Sequence, residues 1–141
     1  MVSIKETNLY PNVIKELNYS FADIYIFKGY VISEIKEGIV FNWDNHAKTV
    51  IDDVTKFLNT DGGDLIYISN RINSYSVMAQ DWIKFFKNSY KLKGYYVVSD
   101  RQTSIMGYMV ENLFFKNKMK KFSSIYEAIN WLEKGRITEV A

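Results

Sequence analysis

The chain has 141 residues, about the size of one average domain. Its formal net charge of +2 is too small to point to nucleic acid as a partner. It contains no cysteine, which excludes disulfides, a cysteine nucleophile, thiolate zinc and iron–sulfur centres, and leans towards a reducing compartment. Met1–Thr7 holds no apolar leader and no uncharged stretch reaches about 18 residues, so a cytoplasmic protein without a membrane span is expected. Eleven Tyr, nine Phe and three Trp make the chain rich in aromatics, many of them in β-like runs where the ring packs and the hydroxyl finds a partner.

Residues 1–18 read as an N-terminal arm or an extra edge strand. A single domain is expected over 19–136, with a tail at 137–141. Phe21–Phe27 and Tyr30–Lys36 are β-rich runs joined by Lys28-Gly29, the pattern of a hairpin. Asn42 or Asp44 caps a helix reaching Asn59, with Ala47, Val50, Ile51, Val54, Phe57 and Leu58 at helical spacing. Asp52 and Lys56 are spaced for an exposed ion pair on it. Asp61-Gly62-Gly63 ends that helix, and Leu65–Ile68 is short and apolar enough for a strand buried on both faces. A polar loop, Ser69 to Ser76, leads to a short helix with Trp82, Phe85 and Phe86, too close together to share one face. Gly94–Ser99 is a second buried-strand run. A helix from Asp100 or Thr103 to Phe115 follows, with Ile105, Met109 and Leu113 forming its apolar stripe. Met119–Phe122 is a weak strand, Ser124 and Glu127 form a capping box, and the last helix buries Ile125, Ala128, Ile129 and Leu132 and stops at Gly135.

The order β-β-α-β-α-β-α-β-α predicts an α/β fold: a mixed, mostly parallel sheet with an antiparallel opening hairpin and about four helices packed on it. This order, with the Tyr30–Ile35 and Leu65–Ser69 strands, Phe114-Phe115, Phe122–Ser124 and Glu127–Leu132, resembles the STAS domain (sulfate transporter and anti-sigma factor antagonist), in its stand-alone sporulation-antagonist branch. The resemblance implies a non-enzymatic binding or regulatory module that docks a protein partner or takes a small ligand. It also implies a phosphorylatable serine after the central strand, in an Asp-Ser-Ser-Gly-like motif. Here Ser74 and Ser76 are the nearest equivalents, but no Asp precedes the serines and no Gly follows them.

Ligands of open α/β sheets gather outside the carboxyl ends of the parallel strands. Two loops leave such ends, Ser69–Ser76 and Ser99–Ser104. Only three arginines occur, and Arg71 and Arg101 lie in these two loops. An arginine fork suits carboxylate or phosphate; the alternative is that both satisfy loop carbonyls or pair with acids such as Asp81 or Asp100. The candidate ligand- or partner-binding residues are therefore Arg71, Asn73, Ser74, Tyr75, Ser76, Trp82, Ser99 and Arg101. His46 is the single histidine and reads as a surface residue in a helix's first turn. Lys116–Lys121 reads as a solvated turn, with phosphate or an acidic membrane as the alternative. No catalytic set, metal site or cofactor is expected. Two functions remain: docking a protein partner through the two loops, or carrying a small apolar or anionic ligand in an aromatic pocket. A homodimer is left open.

Overall fold

The computed structural model describes residues 1–100 and 105–140 of the chain. Its centre is a six-stranded sheet in the order β1-β2-β3-β5-β7-β8. β1 (Lys15–Asn18), β2 (Ala22–Phe27) and β3 (Tyr30–Ile35) are antiparallel. β5 (Ile66–Asn70), β7 (Gly94–Val98) and β8 (Met119–Phe122) continue parallel from β3. The expected mixed, mostly parallel α/β sheet with an opening hairpin is thus what forms. Gly29 makes the hairpin possible by taking φ 87° between β2 and β3. Two very short strands, β4 (Val40–Phe41) and β6 (Ser76–Val77), pair in parallel as a separate ribbon.

The helices are α1 (Lys48–Leu58), α2 (Trp82–Lys87), α3 (Ile105–Phe115) and α4 (Ile125–Val140). Period-two alternation divides the core between the sheet's faces. One face carries Tyr25, Phe27, Ile32, Ile68, Val98 and Phe122 against Ile125, Ala128, Ile129 and Leu132 of α4. The other packs Ile24, Ile26, Val31 and Ile35 on Val50 and Val54 of α1, and Tyr95 and Val97 on Phe115, with Trp82 of α2 alongside.

Several details differ from the sequence reading. Of residues 1–18, Lys15–Asn18 form the edge strand β1, and Ile4 is fully buried in the α4-side core. β5 runs through Ser69 and Asn70, so the loop begins at Arg71. α4 passes through Gly135 to Val140, because a lone glycine weakens a helix without ending it. Met109 and Leu113 do not face the core: they are 61% and 78% exposed, and α3 buries Glu111 and Phe115 instead. Asp52 accepts from the Tyr90 hydroxyl at 2.8 Å in place of the expected pairing with Lys56. Of the capping box, the Glu127 N–H donates to Ser124 Oγ at 3.2 Å, while the Glu127 carboxylate accepts from the Ser123 hydroxyl at 2.7 Å.

Candidate ligand-binding site

The register of the sheet creates an unusual floor on the α1 face. One row across four strands reads Ile26, Val31, Tyr67, Tyr95; the next reads Ile24, Ser33, Ser69, Val97. Two serines therefore stand side by side at the middle of the sheet, where large residues would fill the layer. Helices held off by their bulky neighbours cannot drop into the gap, and close packing fails there. A cavity of about 130 Å³ results.

Val50, Ile51 and Val54 of α1 form one wall, and Trp82 and Phe85 of α2 the other. Tyr75, Val77 and Met78 line the end above the carboxyl edge, and Gly62, Leu65 and Leu92 line the opposite one. Gly62 has φ +98°, and a Cβ there would lie 2.1 Å from the Lys91 carbonyl oxygen, so only glycine fits this wall.

Asn42, Thr55, Asp61, Asp81 and Lys91 also line this mainly apolar space, and on its sheet floor the polar groups are paired hydroxyls. Ser33 Oγ and Tyr67 Oη are 2.7 Å apart, and Ser69 Oγ and Tyr75 Oη are 2.6 Å apart. Burial pushes the Tyr67 and Tyr75 phenols above their ordinary range, so both stay protonated at neutral pH.

Behind the serine–tyrosine pairs lies a buried ion pair. Arg71 Nε donates to Ser69 Oγ at 3.2 Å, and its Nη2 donates to Glu111 Oε1 at 3.1 Å and to Tyr95 Oη at 2.9 Å. Glu111 Oε2 accepts from Tyr95 Oη at 2.8 Å and from Trp82 Nε1 at 2.9 Å. The carboxylate is 3% exposed, so this network locks β5, β7, α2 and α3 together. Burial first, and then the Glu111 charge, holds the Tyr95 phenol well above its ordinary range. The guanidinium also lies over the Tyr75 ring, 5.6 Å from its centroid.

The candidate residues divide accordingly. Arg71, Tyr75 and Trp82 converge on the cavity and its supporting network, with Glu111 as the acid that Arg71 finds; Asp81 instead accepts from the Trp43 N–H at 2.8 Å and pairs with Lys84. Asn73 Nδ2 donates to the Ile35 carbonyl at 3.0 Å and so ties the loop to the end of β3. Ser74 is exposed, and its N–H donates to the Glu37 carboxylate at 2.7 Å. Ser76 is exposed in β6. Ser99 is buried beyond β7, its N–H donating to the Phe122 carbonyl at 3.0 Å. Arg101 lies outside the described residues. Sequence reasoning missed Ser33, Tyr67, Ser69, Tyr95 and Glu111. The one available signal was polar: serines inside otherwise apolar strands, and a lone acid in an apolar helix.

His46 is half-buried rather than fully exposed. It sits in a π-helical turn, Trp43–Ala47, and its ring is stacked 5.4 Å from Phe41 and tilted 4.6 Å from Phe21. Its Nδ1 accepts from the Asn42 N–H at 3.1 Å, which selects the neutral ring, and burial lowers its pKa.

Comparison with family models, with curated proteins and with solved structures finds no match for this chain. Among the described residues, no helix is long and apolar enough to cross a membrane.

Proposed function

We propose that this chain is a small-molecule binding module, STAS-like in its element order, which holds a compact apolar ligand between α1 and α2. The observation that carries the reading is the cavity of about 130 Å³ over the Ser33–Ser69 floor. An apolar cavity of roughly 150 Å³ suffices to take up benzene, so the ligand has about six or seven heavy atoms. The Tyr67 and Tyr75 hydroxyls, each bridged to a serine, offer one or two neutral hydrogen bonds to a hydroxyl or carbonyl on it. A charged ligand is disfavoured, because Glu111 already neutralises Arg71, the lining acids Asp61 and Asp81 are paired with Lys91 and Lys84, and most of the lining is apolar. Docking a protein partner through the 71–76 loop is the weaker reading: Arg71 and Tyr75 turn inward, and Asn73 is spent on holding the loop.

The test is titration with phenol, toluene and benzoate, followed by Trp fluorescence and by thermal unfolding. Phenol and toluene are expected to bind with dissociation constants of roughly 10 µM to 1 mM, the range open to such small ligands. Benzoate is expected not to bind. Val54→Phe, which fills the space from α1, should abolish binding in a protein that still unfolds cooperatively. No binding by phenol or toluene, or binding that survives Val54→Phe, refutes the proposal.

A further inference from the structure

The sequence of α3, Ile-Met-Gly-Tyr-Met-Val-Glu-Asn-Leu-Phe-Phe, carries a single charge, and that charge, Glu111, is turned inward. Successive helix residues rotate by about 100°, so Met109 and Leu113, each two positions from Glu111, project from the opposite side. They are 61% and 78% exposed. A helix that is apolar on both its inner and outer sides is one whose outer side something covers. α2 contributes exposed Ile83 and Phe86, the latter ring 5.7 Å from Phe115 at the end of α3. The surrounding charges are positive: Lys87 at the end of α2, and Lys116 and Lys118 in the 3-10 turn after α3, all exposed. The nearby acids are engaged, Asp44 and Asp81 with Lys84.

We propose that the α2–α3 face docks on the surface of an anionic lipid bilayer, with Met109 and Leu113 entering the headgroup–acyl boundary and Lys87, Lys116 and Lys118 at the phosphate level. Met and Phe also occur in protein-binding patches, but lysine is depleted there. Here Lys87, Lys116 and Lys118 flank the exposed apolar residues and, among the described residues, no arginine does, which is the pairing of apolar side chains with lysine used by interfacial helices. Lysine suits that place because its long stem lies along apolar groups while the ammonium stays at the interface. The inference is independent of the cavity, which lies on the inner side of α2.

The experiment is co-sedimentation of the full chain with vesicles of phosphatidylcholine alone and of phosphatidylserine mixed with phosphatidylcholine. Binding is expected to the mixed vesicles only, weakening as salt is raised. Met109→Gln with Leu113→Gln, and separately Lys116→Glu with Lys118→Glu, should each weaken binding by about tenfold or more. All four positions are exposed, and unchanged circular dichroism verifies the fold of each variant. Leu113→Trp should show a blue-shifted emission on the mixed vesicles. Failure to bind the mixed vesicles, or binding that neither variant weakens, overturns the proposal. So does sedimentation as a dimer that Met109→Gln with Leu113→Gln dissociates, which would place a second copy on this face.

Discussion

Replacing Glu111 by Ala tests the reasoning on which the site rests. The substitution leaves the Arg71 guanidinium buried without its counter-charge, and it removes the acceptor of both Trp82 Nε1 and Tyr95 Oη. Removing one partner of a buried ion pair costs about 3–5 kcal/mol. The two stranded donors would add about 1–3 kcal/mol each if they found no water, and these costs overlap because they share one site. The expected loss is therefore about 3–5 kcal/mol, a large part of a domain's total stability of roughly 5–15 kcal/mol. Arg71→Met combined with Glu111→Met removes both charges and refills the space, so it should cost clearly less than the sum of the two single changes. Urea unfolding of Glu111→Ala and of the cycle's four proteins (the natural chain, Arg71→Met, Glu111→Met and the double variant), read by Trp fluorescence and by far-UV circular dichroism, gives both quantities directly. A Glu111→Ala cost below about 1 kcal/mol, or a double variant whose cost equals the sum, would refute the claim that this pair is a coupled buried unit.

Gly62→Ala combines a positive φ with a Cβ 2.1 Å from a backbone oxygen, whereas Gly38→Ala combines φ +79° with open space. Gly38→Ala is expected to cost about 1 kcal/mol and Gly62→Ala at least about 2 kcal/mol, by thermal unfolding; equal costs would show that the Lys91 contact relaxes freely. His46, whose folded pKa is depressed below the unfolded value by burial, binds its proton less readily in the folded state. Its contribution is complete above the unfolded value of about 6.5, begins to be lost below it and is gone once pH has fallen through the lower folded value, so stability measured between about pH 7 and pH 5 should fall less steeply in His46→Gln than in the natural chain.

The fold was legible because its signals are local and repeated. Leu65–Ile68 and Gly94–Val98 are nearly all apolar or aromatic, as strands covered on both faces are. In α1, Val50 and Val54 recur at helical spacing and are the residues buried. The failures came where spacing carried two answers. In α3 both the Met109–Leu113 row and the Glu111–Phe115 row satisfy an i, i+4 pattern, and hydrophobicity favoured the former. The helix instead turns its acid inward, since Arg71, Trp82 and Tyr95 provide three donors to meet it. β4 and β6, of two residues each, are too short to show any period. The burial of Ile4 depends on chain far from it in sequence, as its N–H donates to Glu34 at 2.8 Å.

The site was legible only in its loop half, and the reason lies in what a cavity is. Arg71, Tyr75 and Trp82 stood out because rare or aromatic residues at the carboxyl ends of parallel strands are noticed one at a time. A cavity is a property of rows, not of residues. Ser33 is unremarkable within Tyr30–Ile35, and Ser69 is unremarkable at the end of Ile66–Asn70. Only the register that sets them opposite each other leaves two small side chains adjacent in the middle of the layer. One residue of slippage would turn Ile32 and Ile68 to that face and fill the space. The same register turns the carboxylate of Glu34 to the opposite face, where it meets Ser3, Ile4 and Asn70. The N-terminal arm therefore helps to fix the alignment on which the cavity depends: shifting β3 by one residue would take Glu34 away from all three donors and bury it on the apolar α1 side.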